Sequence, residues 1–457
     1  MTLANDILAE KCRRSQAAYM RHFMPTWIQR PFHETIQNDL RDCIDKGNQR
    51  ILVSIPPQHG KSEILAKEGV PYILGHDPSK RILFGSYSDE LAAKWSRHSR
   101  NRIKDNKYRD IFPDTEIQQG DDNIKSWTTT AGGSATYGGV RGGATGLPAD
   151  IIIIDDPIKN RAEAESITIR DTVWDMFKTT YLTRLQPGAS VIVIQTRWHQ
   201  EDLIGKIVSS GENWEYTNIP AHDEDGNWLF PERFSEESYL ERKRMLGTYD
   251  WESLYMGNPR KPEGALWKRS FLIAKGERDI PAKLHDPRNW CAYFDLAFSE
   301  KQTADYTCSA AFAWEQNRLW IKSPERVQIE MSDLKKYIAN RVTALGVQRY
   351  GVDSTFGQAV FARELTYMDE LADKAFVKIT ADGKDKLTNF LPLLARYEQN
   401  EVYHVGDGWS QWYDELADFT GTKADIHDDC VDCLVGGYKM VVRKQKTGAI
   451  NFNPLLT

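Results

Sequence analysis

Short apolar runs alternate with amphipathic segments along this chain, and each run has the length of a strand rather than of a membrane span. In the first half, such runs predict buried strands within 51–55, 81–87, 149–157 and 190–199. The segments between them carry helical periodicity, most clearly over 88–106. Strands spaced by helices in this way predict a doubly wound α/β domain with a mostly parallel sheet.

The second half repeats this alternation after a stretch rich in proline and glycine, which is the best candidate for a linker. The predicted elements there are strands within 290–297, 306–314, 319–323 and 349–354, a helix over 332–345, and a final helix starting within 425–434. We therefore expect two α/β domains in the chain. Their predicted bounds are 1–256 for the first domain, 257–268 for the linker and 269–457 for the second domain.

The composition is that of an ordinary globular protein, with 457 residues, 40% hydrophobic and 27% charged. The net charge of −6 excludes a uniformly basic coat for nucleic acid, so any such surface is a local patch. A short basic patch at 439–446 predicts a mobile terminus, with a DNA or partner contact as the alternative. No apolar run reaches membrane-spanning length and the N-terminus is unlike a signal peptide, so we expect the protein to act inside a cell.

The stretch after the first strand has the order of a P-loop, in which a strand, a turn and then Gly-Lys-Ser open a helix. Backbone N–H groups of such a turn face the phosphates of a nucleoside triphosphate. Lys61 would reach the β and γ oxygens, and Ser62 would ligate Mg²⁺. Ile55 replaces the usual first glycine, and a plain surface turn before a helix is the alternative. The predicted nucleotide-binding residues here are Gln58, His59, Gly60, Lys61 and Ser62.

Four consecutive isoleucines at 151–154 predict a strand that is buried on both faces and ends in two carboxylates. Open α/β sheets bind their ligands at this end of the strands, so the pattern is that of a Walker B motif. Asp155 would hold Mg²⁺ and Asp156 would orient the attacking water. The strand near 190–199 ends in polar residues, and Gln195, Thr196 and Arg197 are the candidate sensors of the γ-phosphate. Simple turns at the ends of these strands are the alternative.

Two further segments suggest parts of a nucleotide site. Trp27 and His33 lie just before the first strand, where an aromatic ring and a polar side chain could stack on and hydrogen-bond an adenine. A helix start that packs on the strand is the alternative. The glycine-dense loop at 138–146 carries Arg141, and its glycines suggest close approach to phosphate or to a neighbouring subunit. A flexible linker is the alternative there.

The second half places acids at three separated points: in its first strand, at the end of a later strand, and at the start of the final helix. The residues are Asp295, Asp353 and the pair Asp428 and Asp429, with Asp305 as an additional acid. Such acids would meet at the centre of an RNase-H-like sheet and hold two divalent ions. Mg²⁺ and Mn²⁺ suit a site made only of oxygen ligands. Solvated surface charges are the alternative.

The segments PPQHGKSE, GGVRGGATG, IIIIDDP, QTRWHQEDL, YFDLAF, GVDSTFG and HDDCVDCL follow one another in this order. As an ordered set they resemble the large terminase subunit of tailed double-stranded DNA bacteriophages, over nearly the whole chain. The resemblance implies a P-loop ATPase domain followed by an RNase-H-like nuclease domain. It also implies a viral DNA-packaging motor, in which ATP hydrolysis drives double-stranded DNA into a procapsid and an endonuclease cuts the concatemeric genome.

The resemblance also implies roles for single residues of the ATPase domain. Asp155 is the Walker B acid, and Asp156 stands where the family usually has a catalytic glutamate. Thr196 matches the coupling motif, and His33 stands near the place of the adenine-reading glutamine. Arg141 resembles an arginine finger given to a neighbouring subunit, with Arg197 as the next candidate.

For the nuclease domain, the resemblance implies metal-binding roles for Asp295, Asp353 and one of Asp428 and Asp429, with Asp305 as an accessory acid. The implied cofactors are ATP with Mg²⁺ and two divalent ions, Mg²⁺ or Mn²⁺. The implied partners are double-stranded DNA, the portal protein, the small terminase subunit and further copies in a homo-oligomeric ring on the capsid, with a monomer in solution left open. The implied location is the host cytoplasm, at the procapsid and not in the mature virion.

Three other classes remain open from the residues. A helicase or remodelling ATPase with a degenerate second domain would separate strands without metal-dependent cutting. A transposase-like or integrase-like nuclease would transfer strands at specific ends. A DNA-binding or capsid-binding scaffold would turn over no ATP at all.

Overall fold

The computed structural model describes residues 3–120, 123–142, 146–259, 266–296, 306–353, 358–379, 385–422, 425 and 428–446. The chain divides into two compact units. The first unit comprises Met1–Lys243 and Tyr249–Lys261, and the second comprises Arg244–Thr248 and Pro262–Thr457. Compactness does not by itself assign a function to either unit, so the predicted domain bounds stay a prediction.

The first unit is an α/β unit built on one sheet. Its strands are β1 (Arg50–Ser54), β2 (Arg81–Ser86), β3 (Ser126–Thr128), β4 (Ser134–Gly139), β5 (Ala149–Asp155), β6 (Leu185–Gln195) and β7 (Glu215–Asn218). Its helices are α1 (Leu3–Arg14), α2 (Gln16–Phe23), α3 (Pro31–Asp45), α4 (Gly69–His76), α5 (Asp89–Lys104), α6 (Asn106–Ile111), α7 (Arg161–Glu165), α8 (Ile167–Met176) and α9 (Leu203–Ser209). Helix α10 (Glu236–Leu254) has residues in both units.

The strand order of this sheet is β3-β4-β2-β5-β6-β1-β7. All neighbours pair in parallel except β3 and β4. Strand β6 therefore lies between β5 and β1 in the sheet. The isoleucine run of β5 is fully buried, as expected for a strand that is covered by helices on both faces.

The second unit contains a mixed sheet in the order β13-β12-β9-β10-β11-β14-β8. Its strands are β8 (Ile273–Lys275), β9 (Cys291–Asp295), β10 (Thr307–Glu315), β11 (Arg318–Val327), β12 (Arg349–Asp353), β13 (Ala375–Ile379) and β14 (Val402–Val405). Its helices are α11 (Met331–Leu345), α12 (Gln358–Leu365), α13 (Lys386–Glu398), α14 (Ser410–Asp418) and α15 (Asp429–Lys446). Strand β10 pairs antiparallel with β9 and β11, whereas β12 pairs parallel with β9.

Helix α15 packs closely on the centre of this second sheet because it presents two glycines to the strands. A Cβ atom on Gly436 would lie 2.0 Å from the ring of Tyr293, and one on Gly437 would lie 2.3 Å from the ring of Phe312. Only glycine allows this approach. The first residue of the helix, Asp429, is thereby carried to the ends of β9 and β10.

The sequence predicted the main strands and missed several short ones. The last two residues of β4, Gly138 and Gly139, were predicted as part of the glycine-dense loop, yet they pair with β2. The expectation of a mobile terminus at 439–446 was wrong, because α15 runs to Lys446 and buries Met440 and Val441. In the part of the chain that the structure describes, no helix is long and apolar enough to cross a membrane.

Candidate functional site

The candidate nucleotide site lies at the edge of the first sheet where β1, β5 and β6 end. The register pairs Ser54 of β1 with Gln195 of β6, and Asp155 of β5 with Ile194 of β6. The residues that follow these strands therefore emerge side by side at the carboxyl edge. This is where open α/β sheets bind ligands.

The turn after β1 is tight, and the helix that follows it begins at Lys61. Gln58 and Gly60 have φ angles of 65° and 89°, in the left-handed region. A Cβ atom on Gly60 would lie 2.8 Å from Trp27 and 3.0 Å from His33, so glycine is required there by space as well as by conformation. The backbone consequently turns as a P-loop does before its helix.

Lys61 joins the two strand ends that face it. Its Nζ donates to Thr196 Oγ1 at 2.8 Å and lies 2.9 Å from Asp156 Oδ2. The backbone N–H of Thr196 donates to the other carboxylate oxygen of Asp156 at 2.8 Å. Asp156 has φ 45°, a left-handed conformation uncommon for a residue other than glycine. The predicted phosphate-binding lysine, the predicted sensor and the predicted water-orienting acid thus form one closed set of contacts.

Ser62 and Asp155 form a second contact beside the first. Ser62 Oγ donates to Asp155 Oδ2 at 2.8 Å, and Asp155 Oδ1 is buried without a hydrogen-bond partner. Burial, and then the charge of Asp156, hold the pKa of Asp155 above its usual range. A buried carboxylate oxygen without a partner, next to a serine hydroxyl, fits a small divalent cation that prefers oxygen ligands.

The predicted residues His59 and His33 lie behind the loop in a cluster of aromatic rings. His59 is buried, and its Nε2 hydrogen-bonds with the Tyr239 hydroxyl at 2.7 Å. The backbone N–H of Arg30 donates to His33 Nδ1 at 3.1 Å, so His33 Nε2 carries the proton and donates to the His59 carbonyl at 3.1 Å. Burial lowers the pKa of both rings to about 4, so both are neutral at physiological pH. Both side chains support the loop from its core side.

The two arginines that were candidates for an arginine finger have different surroundings. Arg141 lies on a short 3₁₀ turn, and its Nη2 donates to Glu163 Oε1 of α7 at 2.8 Å with 34% of the side chain exposed. Arg197 is buried, and its Nε donates to both carboxylate oxygens of Asp202 at 2.9 and 3.0 Å. Its Nη1 also donates to the Tyr216 hydroxyl at 3.0 Å. Arg197 is therefore tied into the interior, while Arg141 is accessible.

The candidate metal centre of the second unit begins with two neighbouring parallel strands. The register pairs Phe294 of β9 with Val352 of β12, so Asp295 and Asp353 follow at the same level. Adjacent strands lie about 5 Å apart, which is a suitable backbone spacing for two carboxylates that share ions. The side chain of Asp353 lies outside the described part of the structure, and so does Asp305 altogether.

The start of α15 comes close to the same strand ends. The backbone N–H of Tyr306, next to β10, donates to Asp429 Oδ2 at 3.3 Å. Cys308 pairs with Asp295 in the register, and its Sγ lies 3.5 Å from Sγ of Cys430, which follows Asp429. Asp429 and Asp295 are thus neighbours in space.

Asp428 differs from Asp429 because a lysine holds its carboxylate. Lys386 Nζ of α13 forms an ion pair with Asp428 Oδ2 and another with Asp432 Oδ2 at 2.9 Å. Among the residues that the structure describes, no group of three or more histidine, cysteine, aspartate or glutamate side chains is arranged to hold a metal ion. Asp295 at the end of β9 and Asp429 at the start of α15 offer only oxygen donors, which are the ligands that Mg²⁺ and Mn²⁺ prefer.

Several side chains of these sites were missed by sequence reasoning. The missed residues are Tyr239, Glu163, Asp202, Tyr216 and Lys386, and the backbone N–H of Tyr306 was also missed. Only Asp202 had a local signal, because an aspartate before an apolar helical run is typical of an N-cap, and its Oδ1 accepts from Gly205 N at 3.0 Å. The others come from elements distant in sequence.

Together, these features define a two-unit α/β protein in which a P-loop ATPase fold precedes an RNase-H-like nuclease fold. Residues 52–272 match the family described as terminase large subunit, T4likevirus-type, N-terminal. This region of the chain is similar to that family, and the resemblance and fold class predicted from the sequence are confirmed.

The chain is also similar to several solved structures, of which one has a TM-score above 0.5 and supports the fold. The chain is similar to the large terminase of the thermophilic bacteriophage D6E, with a TM-score of 0.53 and 9% identity over 88% of this chain and 98% of that chain. A complex of the D6E protein with ATP-gamma-S matches with a TM-score of 0.49 and 9% identity, over 87% of this chain and 97% of that chain. The Mn-soaked, inhibitor-bound human cytomegalovirus terminase nuclease domain matches with a TM-score of 0.31 and 13% identity, over 38% of this chain and 94% of that chain. No curated protein matches the sequence.

Proposed function

We propose that this chain is the motor and nuclease subunit of a viral DNA-packaging machine. ATP hydrolysis in residues 1–256 drives translocation of double-stranded DNA into a procapsid, and residues 269–457, after a linker at 257–268, cut the concatemeric genome. The observation that carries the ATPase half is the contact of Lys61 with both Thr196 and Asp156 at the carboxyl edge of the sheet. The observation that supports the nuclease half is the parallel register of β9 with β12, which pairs Phe294 with Val352 directly before Asp295 and Asp353.

In the ATPase half, the chain grips the triphosphate with the backbone of Gln58–Ser62 and with Lys61. The phosphates replace Asp156 as the partner of Lys61 Nζ, which leaves Asp156 free to orient the attacking water and to accept its proton. Thr196 stays bonded to Asp156 through its N–H and reports the loss of the γ-phosphate to β6. His33 acts through the loop backbone, since its ring hydrogen-bonds to the His59 carbonyl.

Mg²⁺ is the metal that this half requires. Ser62 and Asp155 would hold it, which is supported by the buried and unpartnered Asp155 Oδ1. When bound, the ion neutralises charge on the β and γ phosphates. Ser62 and Asp155 keep the donor oxygens fixed beside Lys61.

Arg141 is the trans-acting catalytic residue of this proposal. Its side chain is partly exposed, and it would break only its ion pair with Glu163 in order to reach the nucleotide of a neighbouring subunit. Hydrolysis would then depend on assembly into a homo-oligomeric ring. Arg197 is the weaker candidate, because its guanidinium is buried against Asp202.

In the nuclease half, Asp295, Asp353 and Asp429 are the metal-binding acids, with Asp305 as an accessory. Asp429 is favoured over Asp428 as the third acid, since Asp428 is paired with Lys386. Two divalent ions, Mg²⁺ or Mn²⁺, would supply activation of water and stabilisation of the leaving oxygen. The three carboxylates set the spacing of the site and orient the scissile phosphate against it.

The implied partners are the DNA duplex, the portal protein of the procapsid and the small terminase subunit. The implied location is the host cytoplasm, where procapsids are filled.

One experiment tests the proposal against its alternatives. Supercoiled plasmid is incubated with the full-length protein in Mn²⁺, with and without EDTA, and ATP hydrolysis is measured in Mg²⁺. We expect cutting that EDTA prevents, together with ATP turnover. Turnover without cutting would favour a helicase-like ATPase, strand transfer at specific ends would favour a transposase-like enzyme, and neither activity would favour a scaffold. Each of those three outcomes would overturn the proposal.

A further inference from the structure

The N-terminus of α15 is capped by a carboxylate from another helix. Glu415 lies on α14 and is 7% exposed. Its Oε1 accepts from the backbone N–H of Cys430 at 2.5 Å and from that of Val431 at 3.3 Å. These are N–H groups of the first helical turn, which have no partner inside the helix. The position of the helix start is therefore tied to Glu415.

This arrangement is unusual because Asp428 stands immediately before the helix. An aspartate at that place ordinarily caps the helix with its own side chain. The Asp428 carboxylate instead pairs with Lys386. Glu415 consequently takes over the capping contacts, and the adjacent Asp429 begins a helix whose first turn is held from the side.

A second set of contacts runs from Glu415 to Asp429 by another route. Arg326 of β11 has Nη2 3.6 Å from Glu415 Oε2. Its guanidinium lies 3.6 Å from the ring centroid of Tyr306, a cation–π distance. The backbone N–H of Tyr306 donates to Asp429 Oδ2 at 3.3 Å. Asp429 is thus held through its own helix on one side and through Tyr306 on the other.

We propose that Glu415, together with Arg326, is a positioning residue that fixes Asp429 for metal binding in the nuclease site. This inference rests on the nuclease function proposed above. Glu415 and Arg326 act through the start of α15 and through Tyr306, and neither is a metal ligand. Glu415 is buried and the side chain of Arg326 is 12% exposed, so both charges are costly to desolvate. The benefit that we assign to this pair is that it holds a metal-binding acid in place.

The test compares Glu415→Ala, Glu415→Gln and wild type in the full-length protein, with Mn²⁺ as the probe. We measure the Mn²⁺ concentration for half-maximal plasmid cutting, and the Mn²⁺ affinity without DNA from the electron paramagnetic resonance signal of free Mn²⁺. Loss of an outer contact to a metal ligand typically weakens the metal about 10- to 100-fold, so Glu415→Ala should raise both midpoints about tenfold or more. Cutting should recover at high Mn²⁺. Glu415→Gln keeps an acceptor oxygen of the same reach and should restore most of the affinity.

The matched control is Asp414→Asn, the neighbouring carboxylate on α14, which is exposed and pairs with Arg269. It should bind Mn²⁺ and cut as wild type does. The inference is overturned if Glu415→Ala has the midpoints of wild type, or if Glu415→Gln is as impaired as Glu415→Ala. If Glu415→Ala fails to fold, Glu415→Asp carries the test, because its shorter side chain should raise the midpoints in the same direction and unchanged midpoints overturn the inference.

Failure of the nuclease proposal is distinguishable from failure of this inference. If the wild-type protein does not cut plasmid DNA, the Mn²⁺ affinities of the variants still test the positioning role of Glu415. Weaker binding in both Asp429→Asn and Glu415→Ala supports positioning of a metal site. Weaker binding in Asp429→Asn alone overturns it, and so does Mn²⁺ binding that neither variant changes.

Discussion

Lys61 Nζ and Asp156 Oδ2 lie 2.9 Å apart, so the lysine proposed to bind phosphate is held by the acid proposed to orient the attacking water. The side chain of Lys61 is 7% exposed to solvent, whereas that of Asp156 is 26% exposed. In the proposed mechanism, phosphate oxygens replace Asp156 as the partner of Lys61 before hydrolysis. Nucleotide binding and activation of the acid are therefore one event.

The first prediction concerns this exchange. Asp156→Asn weakens the competing partner of Lys61 but removes the general base, so ATP should bind at least as tightly as in wild type. The turnover rate should fall about 100-fold or more, as for loss of a general base. Lys61→Met should lose both binding and turnover. Titration with a fluorescent ATP analogue and a phosphate-release assay measure the two quantities.

The control for this prediction is Lys80→Met, a lysine in a 3.7 Å surface pair with Asp77, which should behave as wild type. Wild-type turnover in Asp156→Asn would remove Asp156 from the catalytic residues.

The second prediction separates the two candidate arginine fingers. Arg141→Ala breaks a partly exposed ion pair, so stability should fall by less than about 1 kcal/mol. Assembly-stimulated ATPase activity should fall about 1,000-fold, the scale of a lost arginine finger. Arg197→Ala leaves Asp202 buried without its charge partner, and should lower the free energy of unfolding by about 3–5 kcal/mol. ATPase assays on the assembled ring and urea denaturation test both effects.

Arg81→Ala is the matched control for Arg141→Ala, because Arg81 pairs with Asp150 and is also 34% exposed. Assembly-stimulated activity should survive in Arg81→Ala. If Arg141→Ala retained that activity, Arg141 would not be the arginine finger and another residue would have to supply it.

The third prediction concerns the acids of the second unit. Asp295→Asn, Asp353→Asn and Asp429→Asn should each abolish plasmid cutting in Mn²⁺ while ATP hydrolysis continues. Asp428→Asn should only weaken cutting, because its carboxylate is paired with Lys386 and not with the strand ends. Agarose gels and phosphate release on the same preparations make the comparison. Equal loss in Asp428→Asn and Asp429→Asn would contradict the assignment, and joint loss of both activities would indicate misfolding or a single shared site.

The fourth prediction concerns pH and Asp39 of α3. Burial, and then the charge of Glu215, raise the pKa of Asp39 to about 7, and its Oδ2 is buried without a hydrogen-bond partner. A carboxyl whose pKa is raised in the folded state contributes stability at acidic pH that is lost as pH rises through about 7. Asp39→Asn should therefore stabilise the protein by about 1–2 kcal/mol at pH above that value, and by almost nothing well below it.

Thermal unfolding across this pH range measures the difference between Asp39→Asn and wild type. Asp45→Asn on the same helix is the control, since Asp45 is exposed and pairs with Arg41. A pH-independent difference for Asp39→Asn would show that Asp39 is not the titrating group.

The local sequence predicted the residues of the candidate nucleotide site, but it did not predict the residues that surround them. Lys61, Ser62, Asp155 and Thr196 all meet at one edge, because each follows or ends a strand whose apolar run was readable. The surroundings of His59 could not be predicted, because Tyr239 lies far away in the sequence and no local pattern indicates that the two side chains form a hydrogen bond.

The two arginines show the same limit in another form. Arg141 lies in the glycine-dense loop and Arg197 directly follows Thr196, so the sequence left both as candidates for an arginine finger. Only the positions of Asp202 and Tyr216 around Arg197 show that this guanidinium is used inside the fold.

The sequence by itself determined two α/β units, the strand that ends in the P-loop, and the acids that end β5, β9 and β12. Those features depend on the period of apolar residues and on turn chemistry, which are local. Tertiary structure decided that β6 separates β1 from β5, and that Glu415 caps α15 while Lys386 holds Asp428. Pairing between distant elements is set by how whole faces pack against one another, and no short stretch of sequence contains that information.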